Sequence, residues 1–244
     1  MPEVIALWPF EGWTDLSFIL AGSILLAAAA SAGWCLLVGS DRAFLGIGLD
    51  YAAIFTALAV IGLSRAVGGS DLAMPLVGLT SIGATVYGLL VVLWARRHPW
   101  RDPRPTPRIV LASFVLFVVA LISIGSLLVA GAPGILPWRV GVDAGRIVGL
   151  MFLGAAVYFA YGLVDRRWEN AGGQLAGFLA YDVVLVVPFL VRLASGTPSY
   201  YDTGTGEPLR LNLLLYTGVV AYSGLLAAWY LFLDPRTRSR RRRP

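Results

Sequence analysis

Seven long apolar segments follow one another along the chain, and short polar or charged breaks separate them. They cover residues at about 14–38, 43–64, 73–95, 109–130, 145–164, 174–194 and 211–233. Each is close to the roughly 20 helical residues that cross a ~30 Å hydrocarbon core. A barrel would need alternating strands of about ten residues, whereas these runs are continuous. The pattern therefore predicts an all-α integral membrane protein, a seven-transmembrane-helix bundle, with residues 1–233 as its transmembrane domain and 234–244 as an Arg-rich tail.

Arginines are distributed unequally between the two sets of breaks. The first, third and fifth breaks and the tail hold 14 of the 19 arginines, and the opposite set holds five. Because positively charged loops stay in the cytoplasm, we expect a multi-pass protein of the inner (cell) membrane with its N-terminus outside and its C-terminus cytoplasmic. The expected partners are the lipid bilayer and, at the tail, anionic lipid, and no nucleic acid is expected.

Composition removes several kinds of chemistry. Only 14% of the residues are charged, against about a quarter in soluble domains, and every basic residue is Arg. Without lysine there is no Schiff-base or P-loop lysine. The single cysteine, Cys35, and the single histidine, His98, exclude an intrachain disulfide, a Cys-based metal site, a bis-His haem and a His-based triad within this chain. We expect no metal.

Helices one to three resemble helices five to seven in three places. The matched positions are Asp41 with Asp165, Asp50 with Asp182, and Tyr87 with Tyr222. If the likeness reflects a duplication, three helices on each side of a central fourth form a 3+1+3 parallel repeat. Transporters built from repeats bind their ligand between the halves, so the repeat predicts a site there.

Two acidic residues lie inside the apolar segments. Asp50 and Asp182 fall roughly 10–13 Å from the predicted cytoplasmic helix ends at ~1.5 Å per residue, and each has a neighbouring tyrosine, Tyr51 and Tyr181. Ionisable groups at this depth are costly unless they face partners or water. If all four face the interior, they form a ligand or proton site. The alternative is that each Asp bonds a neighbouring Ser, Thr or Tyr and only fixes helix packing.

Two arginines lie in the outer thirds of the fifth and sixth helices. Arg146 and Arg192 are candidates for an outer vestibule that guides an anion inward. The alternatives are that they reach the interface, or pair with Asp143, Asp71 or Glu207.

The last 100 residues or so contain short segments that resemble one known family. Arg146-Ile147-Val148 opens a helix that continues to Tyr158, Val187-Pro188-Phe189-Leu190 lies in the sixth helix, and Pro208-Leu209 leads into the seventh. These segments resemble the corresponding helices of the microbial rhodopsins. The resemblance implies a rhodopsin-like scaffold around a central pocket.

The functional residues of that family do not carry over. A gapless placement puts Gly224 where the retinal-bearing lysine would stand, and the chain has no lysine elsewhere. The third helix offers Met74-Pro75-Leu76 and Thr80-Ser81 but no carboxylate. We therefore expect no covalent retinal, while a non-covalent apolar ligand in the pocket remains compatible with the scaffold.

Three functions remain open from the sequence. The first is a non-catalytic transporter or receptor with a central intramembrane site. The second is an integral membrane enzyme that acts on an isoprenoid or other lipid by carboxylate acid catalysis. The third is a structural subunit of a membrane complex, or a homo-oligomer, without a site. The absence of lysine, together with the single His and Cys, favours a non-catalytic role.

Overall fold

The computed structural model describes residues 15–67, 73–138, 140–195 and 210–237, and most of them are helical. The helices are α1 (Asp15–Val38), α2 (Phe44–Val67), α3 (Ala73–Ala95), α4 (Arg108–Val129), α5 (Val142–Val164), α6 (Trp168–Ser195) and α7 (Arg210–Ala228). Trp229–Leu233 continues α7 as one π-helical turn. Within the described ranges, strand-like pairing is limited to a single bridge between Pro105 and Arg167. The prediction of an all-α seven-helix bundle is confirmed.

All seven helices are long and apolar enough to cross a membrane, with spans of 22 to 28 residues. Their outer faces carry large apolar side chains that no other helix covers. On α3, for example, Leu79 is 62% exposed and Leu90 is 57% exposed. Such a surface is unfavourable in water, but in a membrane it is covered by lipid tails. The chain is therefore a multi-pass membrane protein, and its orientation stays a prediction.

The sixth helix begins at Trp168, six residues before its predicted start. Its first two turns contain Glu169, Asn170 and Gln174, which are polar but only 5%, 1% and 1% exposed. Polar residues in sequence indicate a break between spans. Here neighbouring elements cover them, and a helix that satisfies its own backbone hydrogen bonds continues through the segment.

Two glycines with left-handed backbones end helices. Gly39 has φ +67°, and Ser40 N–H, just after it, donates to the carbonyl of Cys35 at 2.8 Å. Gly131 has φ +79°, and Ala132 N–H donates to the carbonyl of Leu127 at 2.9 Å. Both turns satisfy carbonyls that the helix end leaves free, in a conformation that a side chain disfavours.

The helices pack in two rows that meet in the centre of the bundle. One row runs α3, α2, α5, α4, and the other runs α1, α6, α7. The rows touch where α1 approaches α2 and α5, and where α5 approaches α6. In addition, α4 reaches α7, because the Ser113 and Tyr222 hydroxyls lie 2.7 Å apart.

The packed pairs are compatible with the 3+1+3 repeat expected from the sequence. If α1, α2 and α3 correspond to α5, α6 and α7, then the α2/α3 contact corresponds to α6/α7, and α2/α5 corresponds to α6/α1. The weaker α1/α2 contact corresponds to α5/α6 in the same way. The central region of the bundle is thus built from α1, α2, α5 and α6, two helices from each half.

Two apolar clusters lie at opposite ends of the bundle. One end carries the loops after α1, α3 and α5, and we call it the arginine-rich end. The cluster near it includes Phe114, Phe159 and Leu175. The cluster near the other end includes Phe152 and Phe189. Polar side chains occupy the region between these clusters.

Candidate functional site

The four central helices meet at Tyr158 of α5. Its ring packs against Gly46 of α2, where an added Cβ would lie 2.6 Å from the ring. Its hydroxyl lies beside Ser31 of α1, and 3.2 Å from the Cβ position of Gly173 on α6. The Ser31 hydroxyl donates to the Gly173 carbonyl at 2.9 Å. We call this meeting point of α1, α2, α5 and α6 the four-helix junction.

Trp34 of α1 occupies a place that corresponds to that of Tyr158 in the other half. Its indole ring packs against Gly172 of α6, with an added Cβ 2.6 Å from the ring. Trp34 and Tyr158 each lie seven residues before the aspartate of an Asp-Arg pair, Asp41 and Asp165. Each half therefore inserts one aromatic side chain against a glycine of the other half.

The first turns of α6 add three buried polar side chains at the arginine-rich side of the junction. Glu169 Oε2 accepts the backbone N–H groups of Arg101 and Asp102 at 2.8 and 2.6 Å. Asn170 Nδ2 donates to the carbonyl of Asp165 at 3.1 Å. Gln174 Nε2 donates to the carbonyl of Tyr158 on α5. These bonds join α6 to the loop before α4, to the last turns of α5 and to the residue that follows α5.

The remaining polar atom of each of these three side chains is an oxygen that is buried and has no hydrogen-bond partner among the described residues. We call Glu169 Oε1, Asn170 Oδ1 and Gln174 Oε1 the α6 acceptor row. The two amide groups are oriented with their NH₂ toward a backbone carbonyl. Reversing either would place two acceptors together, so the free atom is the oxygen in each.

Asp50 lies on the α5 side of α2. Its Oδ1 meets the backbone of α5 at Gly154, and this buried oxygen has no hydrogen-bond partner in the part of the chain that the structure describes. The adjacent Tyr51 faces α3 instead, with its ring centroid 6.4 Å from that of Tyr87 and 5.1 Å from that of Phe55. The structure therefore places Asp50 beside the junction and Tyr51 away from it.

Asp182 lies on the α7 side of α6, 3% exposed. Its side chain packs against Gly224, with an added Cβ 3.3 Å from the aspartate Cβ. Ser223 lies beside it but donates its hydroxyl to the Val219 carbonyl at 2.8 Å. The preceding residue, Tyr181, is its other polar neighbour, and Tyr216 lies beside Tyr181.

The two aspartates thus contact different helices. Asp50 contacts α5 and Asp182 contacts α7, and within the described residues no hydrogen bond or ion pair joins them. The structure brings Tyr181 together with Asp182 but does not bring Tyr51 to Asp50. The paired carboxylate site stays a prediction.

At the end opposite the arginine-rich end, three charged residues form a cluster. Asp143 accepts two hydrogen bonds from the Arg65 guanidinium, one of them 2.9 Å long. Arg146 lies 3.6 Å from the same carboxylate, so pairing with Asp143 is the alternative that the structure contains. Arg192 is partly buried near the end of α6, while Asp71 and Glu207 lie outside the described residues. The outer vestibule stays a prediction.

The loop between α3 and α4 covers the arginine-rich end of the junction. Thr106 N–H donates to the Arg166 carbonyl at 2.8 Å, and Trp168 N–H donates to the Arg104 carbonyl at 2.9 Å. Together with the bonds to Glu169, these contacts hold the loop against the start of α6. Over the described ranges, no group of three or more His, Cys, Asp and Glu side chains is arranged to hold a metal ion.

Comparisons of the chain with protein-family models, curated proteins and solved structures found no match. Its class therefore follows from its own fold: a multi-pass, seven-helix membrane protein with a buried polar junction between two groups of helices.

Sequence reasoning missed Trp34, Ser31 and the α6 acceptor row as site residues. A signal for the row was present, because Glu169, Asn170 and Gln174 stand within six positions just before a long apolar run. Polarity at the edge of a span fits both a loop and a buried helix start. Only the packing distinguishes them.

Proposed function

We propose that the protein is a membrane transporter whose substrate path runs through the four-helix junction, between its two halves. The observation that carries the proposal is the set of buried acceptor oxygens at the junction: the α6 acceptor row and Asp50 Oδ1. A buried polar atom without a partner costs about 1–3 kcal/mol. A ligand or water that enters the junction would recover this energy.

The packing of the halves supports transport over a receptor or a structural role. The contacts of α1, α2 and α3 correspond pair by pair to those of α5, α6 and α7. Transporters built from repeats alternate access by moving one half against the other around a site between them. The four-helix junction lies where such a movement would open, and Asp50, Asp182, Tyr51 and Tyr181 remain the candidate ligand or proton residues named from the sequence.

The native cysteine provides a test. Cys35 is 1% exposed, and its Sγ lies 3.7 Å from the Cβ position of Gly173 at the junction. A small, charged, membrane-impermeant methanethiosulfonate reacts with thiolate in water. The reagent would be added separately to right-side-out and inverted vesicles. The matched control is Cys35→Ser with Leu25→Cys, because Leu25 is on the same helix and 64% exposed on its outer face.

If the protein is a transporter, the reagent should modify Cys35 from both sides of the membrane. The reaction should be at least about tenfold faster than with the lipid-facing control thiol, because only a thiol in water ionises. Modification from one side only would contradict alternating access and favour a receptor or an enzyme. No modification above the control from either side would contradict the proposal and favour a structural subunit.

A second candidate function depends on Asp182. Its carboxylate lies beside Tyr181, and Tyr216 lies beside Tyr181 in turn. Both tyrosines pack on the apolar cluster that contains Phe189. A buried carboxyl group next to aromatic side chains favours the enzyme alternative, acid catalysis on an isoprenoid or lipid. Native mass spectrometry in mild detergent tests it: a lipid-soluble molecule should accompany the wild type and be lost in Asp182→Asn. Equal retention by both proteins would contradict this role for Asp182.

A further inference from the structure

We propose that the species bound at the four-helix junction is a monovalent cation, which the α6 acceptor row leads from the arginine-rich end to Asp50. This inference rests on the proposed transport function and adds the chemical class of the transported or coupling species.

The first step is the hydrogen-bonding character of the junction. Asn170 and Gln174 use their NH₂ groups on backbone carbonyls, so each presents only an oxygen. Glu169 presents its second carboxylate oxygen, and Asp50 presents Oδ1. All four atoms accept and none donates. A ligand bound to them must therefore supply positive charge or hydrogen-bond donors.

The second step is the charge of the groups. Two of the four are carboxylates, Asp50 and Glu169, and two are amide oxygens, the hard oxygen ligands that simple cations prefer. The two carboxylates lie at different levels, and over the described residues no three acidic, His or Cys side chains converge as a multivalent ion would require, so the arrangement favours a monovalent cation. An anion would meet acceptors only and is excluded from the row. The Trp34 indole nitrogen also lacks a partner among the described residues, but it lies against Gly172. Around the axis of α6, position 172 is roughly 160° from Asn170 and from Gln174, so this donor lies on a different face of the helix.

The third step is the order of the acceptors along the bundle. Asn170 and Gln174 are one helical turn apart, or about 6 Å. The Gln174 side chain contacts α5 at Gly162, and Asp50 contacts α5 at Gly154, about 12 Å further along the helix at 1.5 Å per residue. The Tyr158 hydroxyl lies between these levels, beside Ser31. The oxygens therefore form successive stations from the arginine-rich end toward the centre of the membrane.

Among the described residues, aspartates pair with three of the seven arginines in the loops at the arginine-rich end. The pairs are Arg101 with Asp41 at 3.9 Å, Arg104 with Asp102 at 2.5 Å, and Arg167 with Asp165 at 3.5 Å. The Arg42 guanidinium lies over the Trp100 ring, 5.7 Å from its centroid, and donates to the Arg96 carbonyl. The three aspartates therefore offset part of the positive charge at this entrance.

The test is infrared difference spectroscopy of the full-length protein in a lipid film. One arm exchanges choline for Na⁺ at constant pH, and the other changes the pH in choline, so the arms distinguish Na⁺ from H⁺. We expect a carboxylate difference band in at least one arm that is lost in Asp50→Asn. A side-chain amide band should accompany it and be lost in Gln174→Leu. Asp143→Asn is the matched carboxylate control, because Asp143 is bound to Arg65 at the opposite end of the bundle, and it should retain both bands.

Gln174→Glu guards against variants that simply fail to fold. A third carboxylate at the junction should lower the cation concentration for half-maximal response several-fold, which a merely structural role for Gln174 does not predict. The proposal is overturned if neither arm gives a difference band, or if the bands persist unchanged in Asp50→Asn and Gln174→Glu. Thiol access to Cys35 reports opening and not cation binding, so failure of this inference and failure of the transport proposal remain distinguishable.

Discussion

The contact between α2 and α3 depends on two glycines, and a single methyl group should weaken it. A Cβ added at Gly62 would lie 2.6 Å from the backbone nitrogen of Gly78, 2.9 Å from its Cα and 3.1 Å from the carbonyl oxygen of Met74. All three are backbone atoms, so no side chain can rotate away. Gly62→Ala can be accommodated only if the two helices move apart.

The magnitude follows from two opposing effects. Alanine favours a helix over glycine by about 1 kcal/mol, and overpacking a tight contact costs about 1–3 kcal/mol. Gly83→Ala on α3 has the first effect without the second, since nothing lies within 4 Å of its Cβ position. The shared propensity cancels between the two variants. Gly62→Ala should therefore be less stable than Gly83→Ala by about 1–3 kcal/mol.

The assay is reversible unfolding in mixed micelles of increasing denaturing detergent, followed by far-ultraviolet circular dichroism. Wild type, Gly62→Ala and Gly83→Ala would be compared in the same lipid and detergent mixture. Equal stability of the two variants would refute the reasoning, because it would mean that α2 and α3 do not approach as closely as the backbone contact requires.

Three further predictions concern charged groups. Glu169→Ala should speed hydrogen exchange of the amide of Asp102 by about tenfold or more, because hydrogen bonds to a carboxylate contribute about 1.5–3 kcal/mol each. Asp143→Asn should lower the free energy of unfolding by about 1 kcal/mol or less, because the ion pair with Arg65 is partly exposed and such pairs are weak. For Asp102, burial raises the pKa, but hydrogen bonds from Arg104 outweigh it and leave the pKa lowered. Its stabilisation is therefore complete above the unfolded pKa of about 3.9 and is lost as the pH falls through the lower folded value.

Each of these predictions has its own control and contrary outcome. Glu169→Gln keeps one acceptor oxygen and should fall between wild type and Glu169→Ala in exchange rate; unchanged exchange in both would contradict the loop contact. Loss of several kcal/mol in Asp143→Asn would show that the pair is far more shielded than its exposure indicates. The free energy of unfolding, measured from neutral pH down to pH of about 3, should fall less steeply with pH in Asp102→Asn than in wild type. The same dependence on pH in both proteins would contradict the predicted sign.

The seven spans could be predicted from the sequence because lipid imposes a minimum length on every crossing. The predicted ranges agree with the helices to within a few residues except at the start of α6, where burial of Glu169 and its neighbours overrides the polar pattern. The two acidic residues inside the spans were also visible as candidates. The spans and their acidic residues could be predicted because both depend only on which residue types follow one another along the chain.

The direction in which each candidate side chain faces could not be predicted. In water, an apolar stripe marks the buried face of a helix, but in lipid both faces are apolar and the periodic signal disappears. Asp50 and Tyr51 are adjacent in sequence, yet successive helical residues point about 100° apart, and Tyr51 consequently faces α3. The same limit explains why Trp34 and Tyr158 were not recognised as counterparts until their glycine contacts were known.

Trp34 and Tyr158 occupy corresponding places, but they are chemically unlike. One offers an indole nitrogen and the other a phenol, and the acceptor oxygens lie on α6 with a lone carboxylate on α2. A molecule at the centre of this bundle would meet most of the acceptor oxygens on the side of α6. The interior is therefore polarised even where the helix packing of the two groups corresponds, and a bound molecule would be held in one preferred orientation.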